Sequence, residues 1–91
     1  MSSEVRDNAA AHRFELDAEG KTALAYYTLA GGVITFTHTE VPPELNGKGI
    51  GSALVRGALE IVKARGLKVI AKCPFVSAYI GKHAEYSGLL L

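Results

Sequence analysis

The spacing of hydrophobic residues has a period of two in the first half of the chain and a helical period in the second half. Alternation over 13–18 and an aromatic-rich run at 22–29 predict two strands. β-Branched and aromatic residues make 33–41 the strongest strand. Glycine-containing turn signals separate the three runs. We therefore expect these strands to form an antiparallel meander.

The alternation within 33–41 gives each side chain of this strand an expected face. One face is expected to carry the even-numbered residues Ile34, Phe36, His38 and Glu40. The other face is expected to carry the odd-numbered residues Val33, Thr35, Thr37, Thr39 and Val41. Pro42 and Pro43 end the strand, because neither has a backbone N–H to donate to a neighbouring strand.

A long helix is predicted over 49–65, where polar and apolar side chains separate onto two faces. Gly66 follows in the position typical of a helix C-terminus. The run 67–73 predicts a short strand, and 75–86 predicts a shorter helix that is interrupted near Gly81. This order of elements predicts an α/β domain of the α+β type, with a right-handed strand–helix–strand crossover.

Length and composition limit the classes of protein that are compatible with this chain. Its 91 residues allow one domain, expected to span 1–91, in which the polar stretch 1–11 lacks periodicity and is expected to be disordered. The net charge of +1 argues against a nucleic-acid partner. No apolar run approaches the roughly 18–20 residues of a membrane span, and no signal-peptide pattern is visible. A cytoplasmic protein without a membrane partner is therefore expected.

The chain contains a single cysteine, Cys73, which cannot form an internal disulfide. Histidines, cysteines and carboxylates do not occur at the spacings that zinc sites use, so no metal is expected.

Three alternating glycines, Gly47, Gly49 and Gly51, lie directly before or within the start of the predicted long helix. The first turn of a helix has free N–H groups and the positive end of the dipole, and phosphate is the usual ligand there. The loop matches neither the Walker A pattern nor the dinucleotide-binding pattern. Two interpretations stay open: a phosphate ligand held mainly by the backbone, or a plain glycine-rich turn.

The segment 46–51, Asn-Gly-Lys-Gly-Ile-Gly, resembles the pyrophosphate-binding signature of the Gcn5-related N-acetyltransferases (GNAT), [Q/R]-x-x-G-x-[G/A]. Asn46 departs from the usual Gln or Arg of that signature. The sequence Cys-Pro-Phe at 73–75, followed by a tyrosine and histidine pattern, is similar to a small subfamily of this fold. The resemblance covers about residues 14–88 and implies a compact GNAT-like fold that uses acetyl-CoA as co-substrate.

The resemblance implies a set of residues that contact coenzyme A. The loop is expected to hold the pyrophosphate, chiefly by backbone amides, through Asn46, Gly47, Lys48, Gly49, Ile50, Gly51 and Ser52. The end of the central strand, at Thr39 and Val41, is expected to pair with the pantetheine amides. Lys48 and Lys82 are candidates for the outer phosphates, or are ordinary solvated lysines. Pro74 and Phe75 belong to the cofactor site by the same resemblance.

The same resemblance suggests four side chains for the chemistry. Cys73 either attacks acetyl-CoA as a thiolate or lines the acetyl pocket, unless it is only a core cysteine. His38 is expected near Cys73, where it would raise the thiolate fraction, or is a core histidine. Glu40 would deprotonate the amine, or is an edge charge. Tyr79 would protonate the departing sulfur, or packs in the core.

These observations predict a minimal N-acetyltransferase that transfers an acetyl group to an amine. A non-catalytic acyl-CoA-binding module and a structural protein with an ordinary turn are the alternatives. The short turn after the first strand leaves no room for the helices that wall the acceptor site in this family. The acceptor is therefore expected to be a large one such as a protein amine, or the groove is completed by a second copy, or no transfer occurs. A monomer or weak homodimer is expected.

Overall fold

The computed structural model describes residues 4–91, and within them the chain forms one mixed sheet with helices packed on one face. The strands are β1 (Arg6–Asn8), β2 (Arg13–Ala18), β3 (Lys21–Ala30), β4 (Val33–Glu40) and β5 (Lys68–Ala71). The α-helices are α1 (Ile50–Ala64) and α2 (Pro74–Lys82). Short 3-10 helices cover Ala9–Ala11, Pro43–Leu45 and Ala84–Leu89.

The sheet follows the order of the chain, β1-β2-β3-β4-β5. Neighbours from β1 to β4 are antiparallel, whereas β5 pairs parallel to β4, with Ile34 opposite Val69. The predicted meander is confirmed, and so is the return through a long helix to a parallel strand. The α/β fold class of the α+β type is therefore confirmed. Within residues 4–91, neither α-helix is long and apolar enough to span a membrane.

One face of the sheet is covered by the helices and forms the hydrophobic core. The sheet contributes the buried side chains Phe14, Leu16, Ala23, Ala25, Tyr27, Ile34, Phe36 and Val69. Helix α1 contributes the apolar row Leu54, Val55, Ala58, Leu59 and Val62. This row recurs every three or four residues, which is the spacing that puts it on one side of a helix. The opposite face of the sheet carries mostly polar side chains and is open.

The N-terminal segment is more ordered than the sequence predicts. Arg6–Asn8 pairs with β2, and the carboxylate of Asp7 accepts hydrogen bonds from Tyr27 Oη at 2.6 Å and from Arg65 Nη1 at 2.6 Å. Val5 packs so closely on α1 that a Cβ at Gly57 would clash with it. The prediction of disorder is therefore wrong for residues 6–8. Residues 1–3, for which disorder was also predicted, lie outside the described residues.

A β-bulge in β4 changes the expected faces of that strand. Tyr27 is opposite Phe36 and Tyr26 is opposite His38, so that Thr37 is an extra residue without a partner on β3. The extra residue interrupts the period of two. Phe36 is buried in the core, whereas His38 is exposed on the open face. The prediction that His38 and Glu40 share a face with Ile34 and Phe36 is therefore wrong.

Strand β5 ends earlier than predicted, at Ala71. The N–H groups of Lys72 and Cys73 both donate to the carbonyl of Phe36, at 3.1 Å and 2.9 Å, so the parallel ladder cannot continue. Helix α2 then begins at Pro74, whose missing N–H costs nothing in the first turn of a helix. The predicted interruption of the C-terminal helix occurs at His83, between α2 and the 3-10 helix Ala84–Leu89, two residues after Gly81.

A buried carboxylate, Glu15, stabilises the open face of the sheet. Its side chain is 7% exposed and lies 2.7 Å from Arg6 and 2.6 Å from Arg13. Asn8 Nδ2 donates a third contact at 3.0 Å. The hydrogen bonds from Asn8 and Arg13 lower the pKa of Glu15 from 4.5 to about 2.

We expect Glu15→Gln to lower the free energy of unfolding at pH 7 by about 1–3 kcal/mol, because hydrogen bonds to a charged group are lost. The lowered pKa means that the native ion pair stabilises fully above pH 4.5 and loses its effect as the pH falls toward about 2. Urea unfolding across this pH range should show that the wild type loses more stability than Glu15→Gln. Glu44→Gln, at an exposed ion pair with Lys21, is the control and should change stability little. Parallel pH curves for wild type and Glu15→Gln would contradict this assignment.

Candidate functional site

The two central strands separate at one end of the sheet. Pairing between β4 and β5 stops at Phe36 opposite Ala71. Beyond that point β4 continues to Glu40 and stays paired with β3 through Tyr26, Ala25 and Leu24. The edge of β4 that faces away from β3 is therefore not covered by β5 over residues 37–40. An extended ligand could add to this edge as a strand would.

The glycine loop after β4 presents backbone N–H groups at the start of α1. Gly49 precedes the helix with φ +73°, and Gly47 has φ +79°, conformations that L-residues other than glycine rarely adopt. The first intrahelical bond runs from Ala53 N to Gly49 O at 3.0 Å. Within residues 4–91, the amides of Ile50, Gly51 and Ser52 therefore have no backbone acceptor, and no side chain caps the helix.

A cleft of about 400 Å³ joins the free edge of β4 to this loop. Its lining residues are Thr39, Val41, Leu45, Asn46, Gly47, Gly49, Ile50, Gly51, Ser52 and Phe75. A second cleft of about 190 Å³ shares Ser52 and Phe75 with the first, and is otherwise lined by Ala78, Tyr79, Lys82 and His83. The structure therefore brings together most of the residues that were predicted to contact coenzyme A.

Gly51 is closely packed, and its backbone angle does not itself require glycine. A Cβ at this position would lie 2.7 Å from Phe75 Cζ and 3.3 Å from Val41 Cγ2. The absence of a side chain lets the first turn of α1 approach the end of β4 and the start of α2. Phe75 itself is 42% exposed and lies between the two clefts, so its ring is available to a ligand.

The two predicted phosphate lysines have different surroundings. Lys48 Nζ lies 2.8 Å and 3.0 Å from the carboxylate oxygens of Glu19, in the turn between β2 and β3. Lys48 is therefore directed toward this turn and does not line the first cleft. Lys82 lines the second cleft, one helical turn after Tyr79. Pro74 begins α2 and lines neither cleft.

Cys73 is almost completely buried, with 4% of its surface exposed. Its Sγ lies 3.3 Å from Thr39 Oγ1, which lines the first cleft. Since Thr39 points toward Cys73, its neighbour His38 points to the opposite face of the sheet. The predicted adjacency of His38 and Cys73 is therefore wrong, because the bulge at Thr37 turns His38 away.

His38 instead pairs with Glu40 on the open face. Its Nε2 lies 3.1 Å from Glu40 Oε2, and the two side chains are 60% and 56% exposed. The ring of Tyr26, from the neighbouring strand β3, stacks on the His38 ring with centroids 6.2 Å apart. A carboxylate and an imidazole thus lie in water-accessible positions beside the uncovered part of β4.

Tyr79 and Tyr86 differ in what their hydroxyl groups contact. Tyr86 Oη donates to Glu60 Oε2 at 2.6 Å, and burial together with this carboxylate raises the pKa of Tyr86 to about 12. Tyr79 stacks on His83 at 4.0 Å, and burial raises its pKa as well. Tyr79 lines the second cleft, where its side chain can meet a ligand.

Three lining residues were not predicted from the sequence: Leu45, Ala78 and His83. His83 follows Tyr79 by four residues, so helical spacing could have indicated that the two share a side. Leu45 lies on a 3-10 turn and carries no signal in the sequence.

Within the described residues, no group of three or more His, Cys, Asp and Glu side chains could hold a metal ion.

Comparisons with known proteins agree with the fold described above. The family model described as GCN5-related N-acetyl-transferase matches residues 13–89. The NMR solution structure of a GCN5-like protein from Staphylococcus aureus superposes with a TM-score of 0.73 at 28% sequence identity, covering 97% of this chain and 87% of that one.

Curated relatives are similar over part of their length. The chain is 30% identical over 60 residues to Protein NATD1 of Gallus gallus and of Mus musculus, covering 66% of this chain and 54% of each relative. The match to human Protein NATD1 has the same identity and covers 53% of that protein. The match therefore spans about half the length of these relatives. Since the family model covers most of the chain, this protein belongs to the GCN5-related N-acetyltransferase family.

Proposed function

We propose that this protein binds acetyl-CoA in the first cleft and transfers the acetyl group to an amine, as a minimal N-acetyltransferase. The observation that carries the proposal is the group of unpaired amides at the start of α1, from Ile50 to Ser52, which open into the cleft along the free edge of β4. A diphosphate fits such amides because their N–H groups and the helix dipole both favour an anion.

The shape of the clefts suggests how the chain would hold the cofactor. The diphosphate would contact the amides of Ile50, Gly51 and Ser52, and the pantetheine amides would pair with β4 near Thr39 and Val41. The end of the ligand beyond the diphosphate would then enter the second cleft, which is continuous with the first through Ser52 and Phe75. Acetyl-CoA would supply the activated acetyl group.

Lys82 and Tyr79 line the same small cleft. An outer phosphate and the sulfur lie at opposite ends of acetyl-CoA, so this cleft can hold only one of them. The cation of Lys82 and the amide of Ser52, which line this cleft together, favour binding of the phosphate end of the ligand there. We therefore assign Lys82 to an outer phosphate and Tyr79 to contact with the nucleotide end. This assignment replaces the role of proton donor to the sulfur that the family resemblance suggested for Tyr79.

Glu40 is the group best placed to remove a proton from the amine, directly or through a water molecule. It lies on the open face of the sheet at the end of β4, and one of its carboxylate oxygens is within hydrogen-bond distance of His38 Nε2. His38 would fix the orientation of that carboxylate. A backbone N–H at the uncovered edge of β4 would polarise the acetyl carbonyl and stabilise the charge that develops on its oxygen.

Cys73 is better suited to support the acetyl pocket than to react. Its 4% exposure and the contact of its Sγ with Thr39 place it behind the wall of the cleft. A protein amine is the acceptor that best fits the site. The His38 and Glu40 side chains on the open face are more than half exposed, and a large acceptor contributes its own contact surface.

The test is incubation with acetyl-CoA radiolabelled in the acetyl group, using poly-L-lysine and peptides with free N-termini as acceptors. We expect label on an acceptor, no label retained on the protein, and continued transfer by Cys73→Ala. Label retained on the wild type but absent from Cys73→Ala would contradict direct transfer and support a covalent route.

A non-catalytic acyl-CoA-binding module is the second candidate. It is favoured by the tight turn between β2 and β3, where Ala18 pairs directly with Lys21 and no wall for an acceptor is formed. Calorimetry that detects acetyl-CoA binding, together with no label on any amine, would support this module and contradict the enzyme.

A further inference from the structure

A row of side chains crosses the open face of the sheet from β2 to β4. Arg13, Tyr26 and His38 are opposite one another on three adjacent strands. Arg13 Nη1 donates to Tyr26 Oη at 3.3 Å, and its guanidinium lies 5.8 Å from the centre of the Tyr26 ring. The Tyr26 ring in turn stacks on His38 with an interplanar angle of 21°. The row ends at Glu40, which pairs with His38.

The other end of this row is fixed in the structure. Arg13 Nε lies 2.6 Å from Glu15 Oε2, and the Glu15 side chain is nearly buried between Arg13, Arg6 and Asn8. A buried, multiply paired carboxylate restricts the motion of the arginine that it holds. The Tyr26 ring is thereby connected to the buried polar cluster around Glu15.

The His38–Glu40 pair needs such support because both side chains are more than half exposed. An exposed ion pair or hydrogen bond is weak by itself, since each side chain loses rotamer freedom and water competes for both groups. Stacking against a fixed aromatic ring removes part of that freedom before the acceptor arrives. A catalytic base benefits from a defined position because proton transfer depends on distance and direction.

We propose that Tyr26 is a positioning residue whose ring fixes the His38 ring and through it the carboxylate of Glu40. The inference rests on the proposed function, in which Glu40 removes the proton from the amine. Tyr26 lines neither cleft, so it is not expected to contact acetyl-CoA. It should therefore affect turnover and leave cofactor binding unchanged.

The test compares Tyr26→Leu with Tyr26→Phe. Leucine removes the aromatic ring, whereas phenylalanine keeps the stack on His38 and loses only the hydrogen bond from Arg13. With poly-L-lysine as acceptor, we expect Tyr26→Leu to lower kcat about tenfold, equivalent to about 1.4 kcal/mol, with the KM for acetyl-CoA unchanged. Tyr26→Phe should stay within about threefold of the wild type, and equal losses in both variants would overturn the proposal.

A second readout does not depend on catalysis. The NMR resonances of the His38 ring protons should shift in Tyr26→Leu, because the ring current of Tyr26 is lost, and should stay close to the wild type in Tyr26→Phe. Unchanged His38 resonances in Tyr26→Leu would overturn the stacking itself. If Glu40→Gln transfers acetyl as fast as the wild type, the base assignment fails and the catalytic part of this inference fails with it. If Glu40→Gln loses activity as expected but Tyr26→Leu keeps full activity, only the positioning role of Tyr26 is overturned.

Discussion

Glu40→Gln is expected to lower kcat by about 10²–10⁴-fold, the range that general bases contribute. The amide has nearly the shape of the carboxylate but cannot accept the proton that the amine must lose. Glu40 lines neither cleft, so acetyl-CoA affinity should change little. Acetyl transfer to poly-L-lysine measures the first effect and calorimetry with acetyl-CoA measures the second.

Glu44→Gln is the matched control for this experiment. Glu44 is also an exposed glutamate, four residues further along the chain, and it forms an ion pair with Lys21 at 3.5 Å. The substitution removes the same charge from the same region of the surface but not from the free end of β4. Comparable turnover in Glu40→Gln and Glu44→Gln would contradict the role of Glu40.

Gly49→Ala is expected to weaken acetyl-CoA binding by at least about tenfold. The φ of +73° at Gly49 costs an L-residue about 1–2 kcal/mol, so the loop should relax toward another conformation. That relaxation would move the amides of Ile50 and Gly51 away from the direction in which they meet a diphosphate. Calorimetric titration of the variant with acetyl-CoA gives the change in affinity.

Gly66→Ala separates this effect from general backbone strain. Gly66 has φ +70° at the other end of α1, and a Cβ at either glycine meets no atom within 4 Å. Both substitutions therefore act through the backbone angle alone and should lower the free energy of unfolding similarly. Only Gly49→Ala should weaken binding, and an equal loss of affinity in Gly66→Ala would show that the glycine loop has no special role.

The sequence predicts the long elements of this fold well because their periodicity extends over many residues. The meander of β2, β3 and β4 and the amphipathic α1 each contain several repeats of their pattern. Strand β1 has only three residues, and it is fixed by contacts of Asp7 with side chains far along the chain. Such long-range contacts leave no local pattern, so this strand could not be predicted.

The directions of the His38 and Glu40 side chains are harder to predict because one extra residue in β4 changes them. The bulge at Thr37 has no glycine or proline to mark it, and the alternation of 33–41 continues through it without a break. As a result His38 pairs with Glu40 and stacks on Tyr26, not beside Cys73. The ion pair of Lys48 with Glu19 joins residues that are distant in sequence and likewise has no local signal.

The central claim is that the amides at the start of α1 bind the diphosphate of acetyl-CoA, and an NMR titration of the ¹⁵N-labelled protein tests it most directly. With acetyl-CoA added, the largest shifts of backbone amides should occur at Gly49, Ile50, Gly51 and Ser52, while residues of the β3–β4 turn stay unchanged. Saturating acetyl-CoA that leaves these four amides unmoved, or that shifts only amides elsewhere on the surface, would contradict the claim.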